Sequence, residues 1–253
     1  MISVLVSLVV AACIFAGGLI GLTLARVLPP SHLTKETHDV IKLGTGMLSV
    51  LASLVLGLLI ATAKSSHDAT EQSVRAYTAE LALLNEVLRD YGDEARLPRD
   101  LLRRYIVHFV ADIWPESGHP LLMGTDPAPR DLLEHVREAI RALHPVDAGQ
   151  TSLQTEALGI TTNLLRQRWL LIEHQGPNIQ AVVIVILVVW ITVIFVSFGM
   201  NAPRNATVIT AFVICSLAIG ASIFLIMEMD RPLDGILRIS KAPVEPLLVQ
   251  LGW

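Results

Sequence analysis

Charged residues are scarce in this chain of 253 residues: they make up 17% of it, and the formal net charge is −4. The sequence also lacks any long run of Lys or Arg of the kind that tracks a phosphate backbone. Nucleic acid is therefore not expected as a partner. What the chain has in excess is hydrophobic residues, at 53% with a mean hydropathy of +0.58. This composition is typical of proteins embedded in a lipid bilayer.

The residues that build most catalytic and metal sites are few or unsuitably spaced. The two cysteines, Cys13 and Cys215, lie inside apolar runs, where cysteine behaves as a small hydrophobic residue. The eight histidines form no H-E-x-x-H frame, and no C-x-x-C, G-x-S-x-G or phosphate-binding glycine motif occurs. The sequence therefore predicts no enzyme activity, no metal site and no cofactor.

Four stretches are apolar and long enough to cross a bilayer, which takes about 20 helical residues. They cover residues 2–28, 40–63, 179–200 and 205–229. The first has no Lys or Arg before its apolar run and exceeds the roughly 7 to 15 residues of a signal-peptide core, so we interpret it as a retained helix. Between the second and third spans, no stretch alternates apolar and polar residues as a strand does. The sequence thus predicts an all-α membrane protein with four transmembrane helices.

The distribution of basic residues indicates on which side of the membrane the chain ends. Four spans would leave both termini and the segment of residues 64–178 on one side. Membrane-proximal basic residues on that side are Lys64, Arg75, Arg166, Arg168, Arg231, Arg238 and Lys241, against Arg26, Lys35, Lys42 and Arg204 on the other. The positive-inside rule therefore predicts that both termini are cytoplasmic.

The segment between the second and third spans is predicted to be a helical cytoplasmic insert, because its apolar residues recur at helical spacing. Its predicted helices cover residues 66–91, 99–114, 129–144 and 151–174, and four prolines and two glycines between 115 and 129 indicate a loop. The predicted division of the chain is 1–63 for spans one and two, 64–178 for the insert, 179–229 for a hairpin of spans three and four, and 230–253 for a cytoplasmic tail.

The tail after Pro232 has apolar residues interleaved with Arg238 and Lys241 and ends at Trp253. One interpretation is an amphipathic stretch at the membrane interface, with Trp253 as an aromatic anchor. The other is a segment that packs against the insert of the same or an adjacent chain.

The second span carries a row of small and hydroxyl-bearing residues. Members of this row recur every four residues, namely Thr45, Ser49, Ser53, Gly57 and Ala61. Such a row is typical of a close contact between membrane helices. It also fits a helix that faces a water-filled pore in an oligomer, with apolar neighbours as constrictions. The candidate pore-lining residues are Lys42, Thr45, Ser49, Ser53, Leu56, Gly57 and Ile60.

The first span contains a GxxxG motif at Gly17 and Gly21. Small residues at this spacing let two membrane helices approach closely, so we predict a packing face here. Membrane helices packed in this way usually have intimate neighbours, and a symmetric homo-oligomer is the default expectation.

Carboxylates follow the last span, although the C-terminal end of a helix macrodipole disfavours negative charge. Glu228, Asp230 and Asp234 form this cytoplasmic acidic cluster. The candidate charge partners are Arg166, Arg168 and Arg231. Alternatively, the three acids would hold a hard cation such as calcium, or would line the inner mouth of a cation-selective pore.

Several segments of the chain resemble the bacterial bestrophin-like family. They are "FGMNAPRNATV", "ASIFLIMEMDRPLDGILRIS" followed by "KAPVEPLLVQL", and "YTAELALLNEVLRDYG" after "LVLGLLIATAKSS". The resemblance spans nearly the whole chain, and "EMDRPLDG" is its most specific part. It implies kinship with bestrophins, which are pentameric anion channels with four membrane helices and a pore-lining second span. Bestrophins have bulky apolar and aromatic residues in the neck of the pore, whereas the second span here has no aromatic residue.

The function expected from these observations is a homo-oligomeric ion channel in the bacterial inner membrane, whose partners are its own copies, the bilayer and inorganic ions. The resemblance favours a pentamer and conduction of anions such as chloride, whereas the acidic cluster suggests a cation channel as an alternative. A membrane-anchored scaffold or sensor without conduction is the hypothesis from a different class.

Overall fold

The computed structural model describes residues 2–27, 29, 34–114, 128–173, 179–230, 239–241 and 244, and in these residues the regular structure is entirely helical. The α-helices are α1 (Ile2–Val27), α2 (Lys35–Tyr91), α3 (Arg96–Ile113), α4 (Ala128–Arg141), α5 (Ala148–Glu173), α6 (Ala181–Asn201) and α7 (Ala206–Met229). Four of these, α1, α2, α6 and α7, are long and apolar enough to cross a membrane. The predicted all-helical class is thereby confirmed for the described residues.

Local sequence signals define where several helices begin and end. Thr34 caps α2 because its hydroxyl oxygen accepts from the backbone N–H of Thr37 at 3.3 Å. The same helix ends before Gly92, whose φ of 113° is a conformation that glycine adopts without strain. Asp147 Oδ1 accepts from Gln150 N at 2.7 Å and so caps α5, and Asn205 Oδ1 accepts from Val208 N at 2.9 Å at the start of α7.

Helix α2 is one continuous helix of 57 residues. The sequence predicted a transmembrane helix that ends at residue 63 and an insert helix that begins at residue 66. The polar residues between them interrupt the apolar run but do not interrupt the helix, because no glycine or proline occurs from residue 58 to residue 91.

The chain divides into two compact units, of which unit 1 comprises Met1–Ser66 and Pro177–Asp230 and unit 2 comprises His67–Gly176 and Arg231–Trp253. The core of unit 1 contains buried residues from α1, α2, α6 and α7, including Ile14, Ala63, Leu187 and Ile223. Arg204, in the turn between α6 and α7, donates from Nε and Nη2 to the carbonyl oxygen of Leu22, at 3.1 and 2.6 Å. A cation therefore satisfies a carbonyl near the C-terminal end of α1.

Glycines bring α1 into backbone contact with α6 and α7. A Cβ at Gly21 would overlap the carbonyl oxygen of Val196, and one at Gly17 would lie 2.8 Å from Thr192 Cγ2. A Cβ at Gly220 of α7 would lie 2.9 Å from the Cβ of Ala11. The predicted packing face of the GxxxG motif is confirmed, and it operates within one chain.

Unit 2 is built around aromatic and aliphatic residues of α2, α3, α4 and α5. Tyr77, Tyr105 and Phe109 are fully buried in it, and the Tyr77 and Phe109 rings lie 4.9 Å apart between centroids. Part of the tail belongs to the same core, because Ile239 and Val244 are buried there. Trp114 Nε1 donates to the carbonyl oxygen of Ile239 at 2.8 Å. These described tail residues thus pack against the insert of their own chain.

Candidate functional site

The candidate site lies on α2, the least covered of the four apolar helices. Only 17% of the residues in the apolar part of α2 are buried by the chain itself, against 39% in α1 and 28% in each of α6 and α7. Met47, Val50, Leu54 and Leu58 are all exposed on it. A single copy of the chain therefore leaves most residues in the apolar part of α2 unburied.

The predicted row of small residues does not run straight along α2. At 3.6 residues per turn, each step of four residues rotates by about 40°, so that the row from Thr45 to Ala61 winds through about 160°. Its first member packs inside unit 1, where Thr45 Oγ1 donates to Ser197 Oγ of α6 at 2.8 Å. Gly57, near the other end, is exposed, and no atom would lie within 4 Å of a Cβ there.

A straight line along α2 has a mean spacing close to 3.6 residues and includes five of the seven candidate residues. We call it the α2 line, and it consists of Lys42, Gly46, Ser49, Ser53, Gly57, Ile60 and Lys64. Ser49 and Ile60 are half-buried, and the other members are exposed. Gly46 and Lys64 were not among the predicted candidates, because they lie off the row that recurs every four residues.

The line carries a lysine near each end and no carboxylate. Between the lysines its polar groups are the hydroxyls of Ser49 and Ser53. Ser49 Oγ donates to the carbonyl oxygen of Thr45, and Ser53 Oγ donates to that of Ser49, each at 2.8 Å. The serines are thus satisfied within α2 and do not depend on a neighbouring helix.

The other candidate residues of α2 face the core of unit 1. Leu56 is half-buried and packs on that core, with Ala52 and Leu59 buried beside it. Ile60 also touches this core, from the edge of the α2 line. Polar contacts hold the same side of α2 to α6: besides the bond from Thr45 to Ser197, His38 Nδ1 lies 2.5 Å from Asn201 Oδ1.

The acidic cluster lies at the end of α7, where both Glu228 and Asp230 are buried. The Oδ2 atom of Asp230 accepts from the backbone N–H of Ile179 at 3.4 Å. Ile179 precedes Gln180, the N-cap residue of α6. A carboxylate at the C-terminal end of α7 is therefore stabilised near the N-terminal end of the preceding helix, α6, where an amide and the helix dipole favour negative charge. This partner is a backbone amide, which the pattern of side chains in the sequence does not indicate.

The predicted partners of the acidic cluster have different surroundings. Arg166 is exposed on α5, whereas Arg168 is buried in unit 2 and donates from Nη1 to Tyr105 Oη at 3.1 Å. Asp234 and Arg231 lie outside the described residues, as do the loop over residues 115–127 and Trp253. Pairing of the acids with these arginines stays a prediction. In the part of the chain that the structure describes, no three His, Cys, Asp or Glu residues are grouped as a metal site requires.

Comparison with known families gives one result that covers most of the chain. The sequence model of the family described as "Bestrophin-like domain" matches residues 12–244. No curated protein and no solved structure matches the chain. The family match begins within α1, includes α2, α6 and α7 in full, and ends at the buried tail residue Val244. The chain belongs to the bestrophin-like family.

Proposed function

We propose that several copies of this chain form an ion channel, with α2 of each copy lining the pore. Family membership supports a channel, and the low coverage of α2 supports the assembly. The observation that carries the proposal is the α2 line, because its exposed glycines, serine and terminal lysines suit contact with water better than contact with lipid. Other copies would cover the adjoining apolar residues of α2, and the family resemblance favours five copies.

The ions that we propose to pass are anions. No carboxylate lies on the α2 line, and Lys42 near one of its ends would raise the local concentration of anions. A cation channel would require acids at the pore. Asp230 is instead buried at the end of α7, where it contacts Ile179 just before α6. Thr45 and Leu56 are left out of the proposed pore surface because they lie off the α2 line, on the side of α2 that packs against the core of unit 1.

The proposed topology has α1, α2, α6 and α7 crossing the bacterial inner membrane and both termini in the cytoplasm. The proposed domains are residues 1–63 and 179–229 in the membrane, with the insert of residues 64–178 and the tail of residues 230–253 on the cytoplasmic side. The excess of membrane-proximal Lys and Arg in the insert and tail supports this orientation.

The test is ion flux into vesicles that contain the purified protein, for the wild type and Ser53→Leu. A leucine on the α2 line adds an apolar group to the water-filled passage and is expected to reduce flux at least about tenfold by dewetting. Ser222→Leu on α7 is the matched control, because Ser222 Oγ also donates to a carbonyl of its own helix, that of Ala218 at 3.1 Å. The control should conduct like the wild type. Equal flux through both variants, or wild-type flux no higher than that of empty vesicles, would refute the proposal.

A scaffold or sensor is the second candidate function, and exposed apolar residues on unit 2 favour it. Leu83, Leu97 and Val107 are exposed there, although water-facing helices usually present polar residues. A scaffold predicts vesicles without flux and a partner protein that is released by Leu97→Glu. The flux assay therefore separates the two functions.

A further inference from the structure

The part of α2 that belongs to unit 2 carries an exposed strip without charge. The length of α2 requires a part outside the bilayer, because its 57 residues extend for about 86 Å and a bilayer core is about 30 Å thick. Beyond the apolar run, exposed residues recur every three or four positions and so share one face of the helix. We call them the α2 strip, which consists of Ala69, Gln72, Ala76, Ala79 and Leu83.

The composition and spacing of the α2 strip suit contact with another helix. Helices that face water usually present charged residues, yet of the exposed residues from 69 to 83 only Arg75 is charged. Arg75 lies beside the strip and pairs with Glu71 at 2.6 Å. Within the strip, Leu83 is 44% exposed. Its mean spacing of about 3.5 residues is the spacing by which one helix packs along another.

A buried carboxylate oxygen at the edge of the strip is a second sign of a missing neighbour. Glu80 lies within one turn of Ala76 and Leu83, and its Oε1 accepts from Gln167 Nε2 of α5 at 2.8 Å. Its Oε2 is buried and has no hydrogen-bond partner among the residues that the structure describes. Such an oxygen is destabilising until it gains a donor. Because Glu80 as a whole is half-buried, a donor on a neighbouring molecule can approach it.

We propose that a second copy of this chain packs along the α2 strip and donates a hydrogen bond to Glu80. On the same helix, exposed residues with this spacing continue before the strip through Leu51, Leu54, Leu58, Ala61 and Ser65. Lipid can cover the first of these residues but not the strip. A partner that covers both must cross the bilayer and extend beyond it at the same level, as another copy does.

This inference rests on the proposed assembly and adds the part of the interface that lies outside the bilayer. The test is the mass of the purified full-length protein in detergent, measured on dilution by mass photometry. Ala79→Glu places a charge within the strip and should raise the concentration at which half of the assembly dissociates by at least about tenfold. Ala111→Glu is the matched control, because Ala111 is an exposed alanine of α3 in the same unit. It should assemble like the wild type.

The carboxylate of Glu80 is tested in the same assay. Glu80→Gln removes a charged acceptor at the edge of the strip and should raise the dissociation concentration about tenfold. Glu86→Gln is its control, since Glu86 is an exposed acid of α2 in a surface pair with Arg89. Equal behaviour of Glu80→Gln and Glu86→Gln would overturn the donor to Glu80.

A photoreactive benzoylphenylalanine at position 79 tests the contact without placing a charge in it. In lipid vesicles, illumination should link position 79 to a second copy, whereas the same group at position 111 should leave monomers. Links to lipid alone, or equal yields at the two positions, would overturn the proposal, as would normal assembly of Ala79→Glu. Vesicles that conduct ions in spite of such a result would leave the channel intact. Linked copies in vesicles without flux would instead refute the channel and leave this interface.

Discussion

At the scale of single residues, Asp230 has a chemical environment that its sequence position does not suggest. A carboxylate at the end of α7 opposes the dipole of its own helix. The backbone N–H of Ile179 and the N-terminal end of α6 provide the compensating interaction. Asp230 therefore links the end of α7 to the start of α6 through a hydrogen bond.

This contact predicts that Asp230→Ala lowers the free energy of unfolding by about 1 kcal/mol, the usual net contribution of one hydrogen bond. Chemical unfolding in detergent, followed by circular dichroism, measures the change. Asp90→Ala is the control, because Asp90 is an exposed acid in the last turn of α2, in a surface ion pair with Arg89. Its loss should change stability by no more than about 0.5 kcal/mol. Equal effects of the two substitutions would show that the amide of Ile179 contributes nothing.

Lys42 is the residue at which the proposed selectivity is most directly tested. Lys42→Glu reverses the charge near one end of the α2 line and should shift the preference from anions toward cations. Reversal potentials in bilayers with asymmetric potassium chloride measure this preference. Arg26→Glu makes the same charge change at an exposed position near the end of α1 and should leave the reversal potential unchanged. A reversal potential that does not move in Lys42→Glu would exclude this lysine from the pore.

At the scale of elements, the helices of unit 1 differ in how closely they approach one another. Gly21 and Gly199 bring the backbones of α1 and α6 together without intervening side chains. By contrast, α2 meets α6 through side chains, as in the bond between Thr45 and Ser197. Helices α1 and α6 are therefore the closely packed part of unit 1, whereas one face of α2 stays exposed.

The close approach predicts that Gly21→Ala is destabilising, because its Cβ would overlap the backbone of α6. We expect a loss of about 1 to 3 kcal/mol, as is usual for overpacking in a core. Gly46→Ala is the matched control, since no atom lies within 4 Å of the added methyl group. Alanine favours helix over glycine, so this variant should be as stable as the wild type or more stable by up to about 1 kcal/mol. Thermal unfolding of both variants in the same detergent tests the expectation.

At the scale of the whole molecule, most of the large exposed apolar side chains in the described residues belong to α1, α2, α6 and α7. Lipid covers such residues when they lie on the outside of a membrane protein, and other subunits cover them at interfaces. Equivalent residues of two copies come close together at a subunit interface, whereas those that lipid covers stay apart.

Gly57→Cys distinguishes these surroundings, because the new side chain enters open space on the α2 line. The background should be Cys13→Ser with Cys215→Ser, since both native cysteines are exposed. In lipid vesicles, a short bis-maleimide should join Gly57→Cys chains into dimers. Leu5→Cys, at a position of α1 that is 65% exposed, should remain mostly monomeric. Monomers in both cases would contradict the assembly around α2.

The sequence predicted the helices of unit 1 well because apolar runs and turn residues act locally. The bounds of α1, α6 and α7 differ from the predicted spans by at most two residues at either end. The continuity of α2 was not predicted, because polar residues after residue 63 resemble a span end although they are compatible with a helix. The predicted pore-lining residues stay a prediction, and the face that each of them occupies depends on how α6 packs against α2. The bond between Asp230 and Ile179 joins residues 51 positions apart, which no local pattern encodes.

The serine hydroxyls of α2 have one further consequence for any ion that travels beside them. A hydroxyl has a single proton and two lone pairs, and Ser49 and Ser53 direct that proton to their own backbone. They therefore offer lone pairs, which attract water hydrogens and do not replace the hydration shell of an anion. An anion that crosses here keeps its shell of water, so chloride, bromide and nitrate should cross at similar rates despite their different dehydration energies.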